Sequence, residues 1–139
     1  RADVVLTDNP DRIHYKPLAF LNSLDLKMGA GAASLIISRA GSTLFEIAFW
    51  GVPSILIPFT ESNGDHAKKN AFTYAHAGGC SVVEENNMTA NILGAEVERI
   101  LENKEEWAKM SQSAKAFGHK DAATKIARAL VDMAIIHEQ

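Results

Sequence analysis

Two short polar segments contain residue types suited to holding a phosphate or a sugar, and each comes directly before a helical pattern. Residues 39–43 read RAGST, and residues 59–65 read FTESNGD. The start of a helix presents unpaired backbone N–H groups and the positive end of the helix dipole, and both favour an anion. Each segment also follows an apolar run of strand length. Because open parallel sheets bind ligands beyond the carboxyl ends of their strands, we interpret both segments as candidate binding loops.

The first loop is small and polar and is followed by an acidic side chain. Gly41 allows a ligand to approach the backbone closely. Glu46 lies in the first turn of the next helix, where a carboxylate can accept hydrogen bonds from both hydroxyls of a ribose. The spacing of Thr43 and Glu46 also fits a capping box, in which Glu46 only bonds back to the helix start. Spacing alone favours the capping role.

The second loop leads into a helix that carries His66 and Asn70, four residues apart and therefore on one face. Together these two side chains have the reach to contact a sugar or a phosphate. The alternative is a solvated helix face with Asp65 as its N-cap, and the residues alone favour that alternative. We expect Lys68 and Lys69 to face water.

Short apolar runs alternate with helical patterns along the chain. The runs at residues 34–38, 53–58 and 80–84 predict strands buried on both faces, and residues 12–16 predict a fourth strand. Helices are predicted at residues 24–33, 43–50 and 65–77, and the chain is predicted to be helical from residue 89 onward with three successive apolar faces. This alternation predicts an α/β layer fold with a parallel sheet and right-handed crossovers.

Composition excludes several classes of function. The net charge of −3 over 139 residues, with no basic stripe, argues against a nucleic-acid partner. No apolar run approaches the roughly 20 residues that span a bilayer. The five histidines are scattered without the spacing of a zinc site, so we expect no bound metal. The single cysteine, Cys80, begins a strand-like run, which favours a buried structural thiol in a reducing cytoplasm.

Three segments, taken in order, resemble the C-terminal domain of the MurG family, the UDP-N-acetylglucosamine transferases of peptidoglycan synthesis. They are residues 37–48 (ISRAGSTLFEIA), 51–58 (GVPSILIP) and 65–71 (DHAKKNA). The ordered set is specific, whereas one segment alone would be weak evidence. The resemblance runs from about residue 12 to the end. It implies the C-terminal half of a GT-B glycosyltransferase: an α/β, Rossmann-like parallel sheet with helices on both faces.

The resemblance also implies roles for particular residues. Glu46 would hold the ribose diol, and Ser42 and Thr43 would contact the diphosphate, with Gly41 beside them. Leu21, together with Phe20, matches the place where the family's backbone reads the uracil edge. His66 and Asn70 occupy the positions at which family residues approach the N-acetylglucosamine ring. With the resemblance added, Glu46 can both cap the helix and hold the ligand, and the ligand role becomes the favoured interpretation.

The sequence departs from the family pattern in three ways. The glycine-rich loop that follows the domain's opening strand is missing, so residues 1–139 are expected to be a single partial domain without its first strand and without the N-terminal acceptor domain. The loop from Arg39 to Glu46 is one residue shorter than the common form. Ala67 stands where the family usually has glutamine, which makes sugar specificity less secure than nucleotide binding.

The implied function is donor binding in an inverting transferase. In the family, a hydroxyl of the lipid-linked muramoyl-pentapeptide attacks the sugar's anomeric carbon, and UDP leaves. The charge on UDP is stabilised by the N–H groups of a helix start and a loop, without a metal or other cofactor. The catalytic base belongs to the N-terminal half, so we expect no catalytic residue here and no turnover by this chain alone. The full-length enzyme is expected to be cytoplasmic and peripheral at the inner face of the cell membrane.

Two other functions stay open on the sequence. The chain fits a donor-binding subunit that needs a separate acceptor-binding protein, and it fits a domain of the UDP-sugar epimerase type. A ligand-free sheet-and-helix domain is the least favoured, because packing requirements alone rarely produce three such motifs in order.

Overall fold

The computed structural model describes residues 10–59, 66–118 and 121–137, which form a parallel sheet covered by helices. The described strands are β1 (Ile36–Ser38), β2 (Ser54–Leu56) and β3 (Cys80–Val82). The described α-helices are α1 (Ser23–Ala32), α2 (Thr43–Trp50), α3 (His66–His76), α4 (Ala90–Glu102), α5 (Lys104–Phe117) and α6 (Ala122–His137). Two short 3-10 helices occupy Pro10–His14 and Glu85–Asn87.

The sheet has the order β1-β2-β3, and both strand pairs are parallel. Ile37 of β1 pairs with Ile55 of β2, and Ile55 pairs with Ser81 of β3. The three apolar runs therefore form strands as predicted, each shorter than the run that contains it. Every residue of β2 is buried, including the polar Ser54, so the prediction of burial on both faces is correct for this strand. It is wrong for β1, the edge strand, whose Ile37 side chain is 46% exposed.

Side chains alternate across β2 into two hydrophobic clusters, one on each face of the sheet. Leu56 packs in a cluster with residues of α2, α3 and α5, including Leu44, Tyr74 and Ala114. Ile55 and its second neighbour Ile57 pack in the other cluster, with residues of α4 and α5. The prediction of helices on both faces is confirmed. Helices α2 and α3 lie on one face, as two crossovers of the same hand require.

The predicted strand at residues 12–16 is wrong. This segment begins inside the 3-10 helix Pro10–His14 and continues without regular structure. The side chain of Ile13 is 85% exposed, so no layer among the described residues covers the local apolar pattern. A strand buries its apolar side chains only when a neighbouring strand and a covering layer are both in place.

The third predicted apolar face lies on α6 and is not buried by the described residues. Ile126, Leu130 and Val131 of α6 are each more than half exposed. The two preceding faces, on α4 and α5, bury Ile100 and Met110 against the sheet. None of the described helices is long and apolar enough to cross a membrane.

Helix α5 is fixed to the amino-terminal edge of the sheet by two side-chain hydrogen bonds. The Ser111 hydroxyl donates to the Gly51 carbonyl oxygen at 2.7 Å, and the Trp107 indole N–H donates to the Ser34 carbonyl oxygen at 2.6 Å. Gly51 ends α2 in the left-handed conformation, with φ of +70°. The end of α2 is therefore bonded directly to α5 on one side and leads into β2 on the other.

Burial governs the chemistry of Cys80, as the sequence predicted. The thiol is buried, and its sulfur lies 3.7 Å from the Ala71 carbonyl oxygen. Desolvation raises the pKa of Cys80 from its ordinary value of 9.0 to about 12, because the apolar surroundings disfavour the thiolate. Burial also raises the pKa of Tyr74, which packs in the same cluster.

The two glycines Gly51 and Gly94 should respond oppositely to replacement by alanine. At Gly51 the left-handed backbone disfavours a side chain, and the new methyl would overlap the Lys115 side chain. We expect Gly51→Ala to lower the free energy of unfolding by about 1–2 kcal/mol. Gly94 lies within α4 with open space around it, so Gly94→Ala should raise that free energy by about 0.5–1 kcal/mol. Urea unfolding measures both, and equal effects would contradict the assigned backbone of Gly51.

Stability should fall in alkaline solution because the folded chain keeps the Cys80 thiol protonated. The unfolded thiol ionises near pH 9, whereas the folded thiol holds its proton to about pH 12. The contribution of neutral Cys80 is therefore fully present below pH 9 and is lost as pH rises from 9 towards 12. Urea unfolding at pH 7.5, 9.0 and 10.5 checks this, and Cys80→Ala should reduce the decline. An identical decline in that variant would exclude Cys80 as its source.

Candidate functional site

The carboxyl ends of the three strands meet at one edge of the sheet. The Ile57 N–H donates to the Ser38 carbonyl oxygen at 2.8 Å, and the Val83 N–H donates to the Leu56 carbonyl oxygen at 3.0 Å. These bonds extend each strand pair by one step beyond the last paired residue. The segments that begin at Arg39, Phe59 and Glu84 therefore leave the same edge, as the sequence predicted for the first two.

The first candidate loop contains a residue in an unusual backbone conformation. Ala40 has φ of +55° and is fully buried. The left-handed region is uncommon for residues other than glycine and disfavours any side chain with a Cβ atom. The neighbouring Gly41 is exposed, and a Cβ built on it would meet no atom within 4 Å. The space in front of the Gly41 backbone is thus clear for a ligand, while the sharp turn of the loop is made by Ala40.

The capping box expected from Thr43 and Glu46 is not formed. The N-cap of α2 is Ser42 and not Thr43, so the motif is out of register by one residue. Ser42 has helical dihedral angles (φ −57°, ψ −25°) and makes no side-chain cap bond, whereas a capping residue usually has an extended backbone. Within the described part of the chain, the Glu46 carboxylate is exposed and has no hydrogen-bond or ion-pair partner. Glu46 is therefore available to a ligand.

The start of α2 also keeps N–H groups for a ligand. The Leu44 N–H donates to the Gly41 carbonyl oxygen at 3.2 Å, and the Phe45 N–H donates to that of Ser42 at 3.1 Å. The first turn of a helix leaves four N–H groups without an acceptor inside the helix. With Leu44 and Phe45 satisfied by this tight turn, the groups that face outward at this helix start belong to Ser42 and Thr43.

A cavity of about 380 Å³ lies between α1, β1 and α2. Its volume falls within the usual range for small-molecule sites. Ser38 and Thr43 line it among mostly apolar residues, and Leu21 is also part of its lining. The structure therefore brings Leu21 and Thr43, which are distant in sequence, to one cavity. The neighbouring Phe20 side chain is largely exposed.

The residues predicted from the second loop are only partly described. Residues 60–65 lie outside the described residues, and so does the predicted N-cap, Asp65. His66 begins α3 and is exposed, whereas Asn70 is half-buried. Neither residue lines the cavity beside Thr43. No group of three or more His, Cys, Asp or Glu side chains in the described ranges is placed to hold a metal ion.

A network of charged side chains that the sequence did not predict crosses the carboxyl edge of the sheet. The Arg39 Nη2 atom lies 2.6 Å from the Glu85 Oε1 atom, and the Arg39 Cζ atom lies 3.9 Å from the centre of the Phe59 ring. Lys68, expected to face water, instead pairs with Glu84 at 3.2 Å. One available signal was position, because each of these residues except Lys68 comes soon after a predicted strand.

Comparison with known proteins identifies a matching family. The model of the glycosyltransferase family 28 C-terminal domain matches residues 3–126. The UDP-N-acetylglucosamine--N-acetylmuramyl-(pentapeptide) pyrophosphoryl-undecaprenol N-acetylglucosamine transferase of Mycobacterium ulcerans is 33% identical over 129 residues, which is 92% of this chain and 32% of that protein. The transferase of the same name from Maricaulis maris is 40% identical over 100 residues, or 71% of this chain and 27% of that protein. The chain thus spans about a third of these relatives or less.

A solved structure has the same fold. The crystal structure of Acinetobacter baumannii MurG superimposes with a TM-score of 0.74 at 24% sequence identity. The match covers 84% of this chain and 33% of that one. At this identity the likeness shows the fold, and it confirms the Rossmann-like arrangement expected from the sequence.

The left-handed conformation of Ala40 predicts an unequal response of two buried alanines to replacement by glycine. Both Ala40 and Ala48 are fully buried, but Ala48 lies within α2. Ala48→Gly should lower the free energy of unfolding by about 2 kcal/mol, because it removes a buried methyl group and a good helix former. For Ala40→Gly, relief of about 1–2 kcal/mol of backbone strain offsets the lost methyl, so stability should change little. Urea unfolding compares them, and an equal loss would refute strain at Ala40.

Proposed function

Because this chain belongs to the glycosyltransferase family 28 C-terminal domain family, we propose that it binds the sugar donor of a glycosyltransferase, UDP-N-acetylglucosamine. The observation that carries the proposal is the exposed, unpaired Glu46 carboxylate in the first turn of α2, close in sequence to the N–H groups of Ser42 and Thr43. Thr43 and Ile47 of the same helix line the cavity. A carboxylate suits a ribose diol, and helix N–H groups suit a diphosphate.

Each predicted site residue has a role in this proposal. The backbone at Leu21 reads the uracil edge from the cavity wall, and Glu46 accepts hydrogen bonds from the ribose hydroxyls. Ser42 and Thr43 donate N–H and hydroxyl hydrogen bonds to the diphosphate, which Gly41 allows to approach the backbone. His66 and Asn70 contact the sugar ring from the start of α3. The shared cavity of Leu21 and Thr43 supports the roles proposed for these two residues.

The proposed reaction is transfer of N-acetylglucosamine with inversion to a lipid-linked muramoyl-pentapeptide, the acceptor type in the names of the relatives. An acceptor hydroxyl attacks the anomeric carbon, the bond to UDP breaks, and the N–H groups at the start of α2 stabilise the charge on the leaving diphosphate. In this proposal the chain binds and orients the donor, while an acceptor-binding domain supplies the catalytic base.

The proposal includes a partner and a place of action. The donor half works beside an acceptor-binding unit, and the unburied apolar face of α6 supports a further protein surface against this chain. The complete enzyme acts in the cytoplasm at the inner face of the membrane, where the lipid-linked acceptor is held. Residues 1–139 are, in this view, a single partial donor domain. Because Ala67 offers no polar side chain to the sugar, nucleotide contacts carry most of the affinity.

Calorimetric titration with UDP and UDP-N-acetylglucosamine tests the proposal. We expect saturable binding by the wild-type chain, and Glu46→Ala should weaken it about 10- to 100-fold, because hydrogen bonds to a charged group contribute about 1.5–3 kcal/mol. Glu98→Ala is the matched control, since Glu98 is an exposed helical glutamate of α4. It should leave the affinity unchanged.

A second ligand isolates the contact between Glu46 and the ribose. The wild-type chain should bind 2′-deoxy-UDP more weakly than UDP, whereas Glu46→Ala should bind the two ligands alike. If the variant still prefers UDP as strongly as the wild type does, Glu46 does not hold the ribose. If the folded wild-type chain binds no uridine nucleotide, the donor-site proposal is wrong.

A further inference from the structure

The side chain of Arg39 connects segments that leave all three strands at the carboxyl edge of the sheet. Arg39 directly follows β1, Phe59 follows the run that contains β2, and Glu85 follows the run that contains β3. We propose that Arg39 is a positioning residue: its contacts with Glu85 and Phe59 hold residues 40–46, the loop and the first turn of α2 with its Glu46 carboxylate, in the conformation that receives the donor. This inference rests on the proposed function for its ligand, but the contacts themselves do not depend on it.

The ion pair fixes one side of the guanidinium. The Nη2 atom of Arg39 donates to the Oε1 atom of Glu85 at 2.6 Å, a short charge-assisted hydrogen bond. The two side chains are 37% and 38% exposed, so water screens the pair only in part. Glu85 begins the 3-10 helix Glu85–Asn87, two residues after the hydrogen bond between Val83 and Leu56. The acceptor is therefore held by backbone that is continuous with the sheet.

The Phe59 ring fixes the face of the guanidinium. The Arg39 Cζ atom is 3.9 Å from the ring centre, a distance typical of a cation–π contact. The chain before Phe59 is anchored, because Ile57 and Pro58 are buried and the Ile57 N–H is bonded to Ser38. A planar guanidinium can stack on the ring and bond to a carboxylate at the same time, whereas a lysine ammonium cannot present such a face.

These contacts act next to the strained residue of the loop. Ala40, the neighbour of Arg39, is held with φ of +55° although that conformation is unfavourable for alanine. Such strain persists only where the surroundings determine the conformation. Arg39 is held by β1 on its amino side and by Glu85 and Phe59 through its side chain. The backbone that leads into Ala40 is therefore fixed in position. The N–H groups of Ser42 and Thr43 and the carboxylate of Glu46 follow within seven residues of Arg39.

Binding of uridine and of UDP to Arg39→Ala, Glu85→Gln and Phe59→Leu tests the proposal by calorimetry. We expect Arg39→Ala to weaken both ligands by the same factor, about tenfold. Glu85→Gln and Phe59→Leu should each weaken both ligands by less, and Arg39→Lys should restore only part of the affinity. Arg99→Ala is the matched control, because Arg99 is a partly exposed arginine of α4 that also forms ion pairs, with Glu96 and Glu106. It should change neither ligand.

A direct contact between Arg39 and the diphosphate gives a different pattern. Uridine binding would then be unchanged in Arg39→Ala, and Glu85→Gln would leave UDP binding unchanged or tighter by freeing the guanidinium. Either result would overturn the positioning role.

Amide hydrogen exchange of the ligand-free chain separates this inference from the proposed function. Exchange at Leu44 and Phe45, whose N–H groups donate to the carbonyl oxygens of Gly41 and Ser42, should accelerate in Arg39→Ala and stay unchanged in Arg99→Ala, with global stability monitored by urea unfolding. Faster exchange of these two amides without any nucleotide binding by the wild type would support the positioning role of Arg39 and refute the donor site. Unchanged exchange would refute the positioning role even if UDP binds.

Discussion

The parallel pairing of β2 with both of its neighbours is the constraint on which the rest of the structure depends. Strand β2 is hydrogen-bonded to a parallel strand on each side and is covered on both faces, so it has no exposed residue. Because all three strands run the same way, their carboxyl ends share one edge. Every contact at the candidate site, from Arg39 to Glu85, exists because three separate loops start from that edge.

The charges at this edge are arranged so that the backbone, more than the side chains, attracts an anion. The cations Arg39 and Lys68 are paired with Glu85 and Glu84. The N–H groups of Ser42 and Thr43 at the start of α2 have no hydrogen-bond partner among the described residues. A carboxylate such as Glu46 can therefore lie near a bound diphosphate, since the helix dipole offsets part of its charge and its own ligand is a neutral diol. In this arrangement the paired cations Arg39 and Lys68 hold the loops in their conformations, and the helix N–H groups contact the proposed ligand.

Particular residues show how much of this could be predicted from the sequence. The runs around Ile37, Ile55 and Ser81 predict strands correctly, but burial on both faces holds for β2 alone, because Ile37 of the edge strand β1 is 46% exposed. The segment around Ile13 has similar residues, but no layer among the described residues covers it, and a local pattern carries no information about its partner. The prediction of a capping box is wrong for a related reason. The N-cap is set by the turn at Ala40, whose left-handed backbone has no signal in an alanine.

The opposite edges of the sheet differ in how they are held, and this difference suits a donor site. At the amino-terminal edge, α5 bonds directly to backbone carbonyls of Ser34 and Gly51 through Trp107 and Ser111. Such bonds tie one element rigidly to another and leave little freedom of rotation. At the carboxyl edge, the connections are half-exposed ion pairs and one cation–π contact between side chains. Contacts of this kind hold loops in place while they still yield to a ligand, because each is individually weak and only their combination determines the conformation. The fold therefore places its firmest attachments where no ligand is proposed to bind, and its adjustable ones beside Glu46.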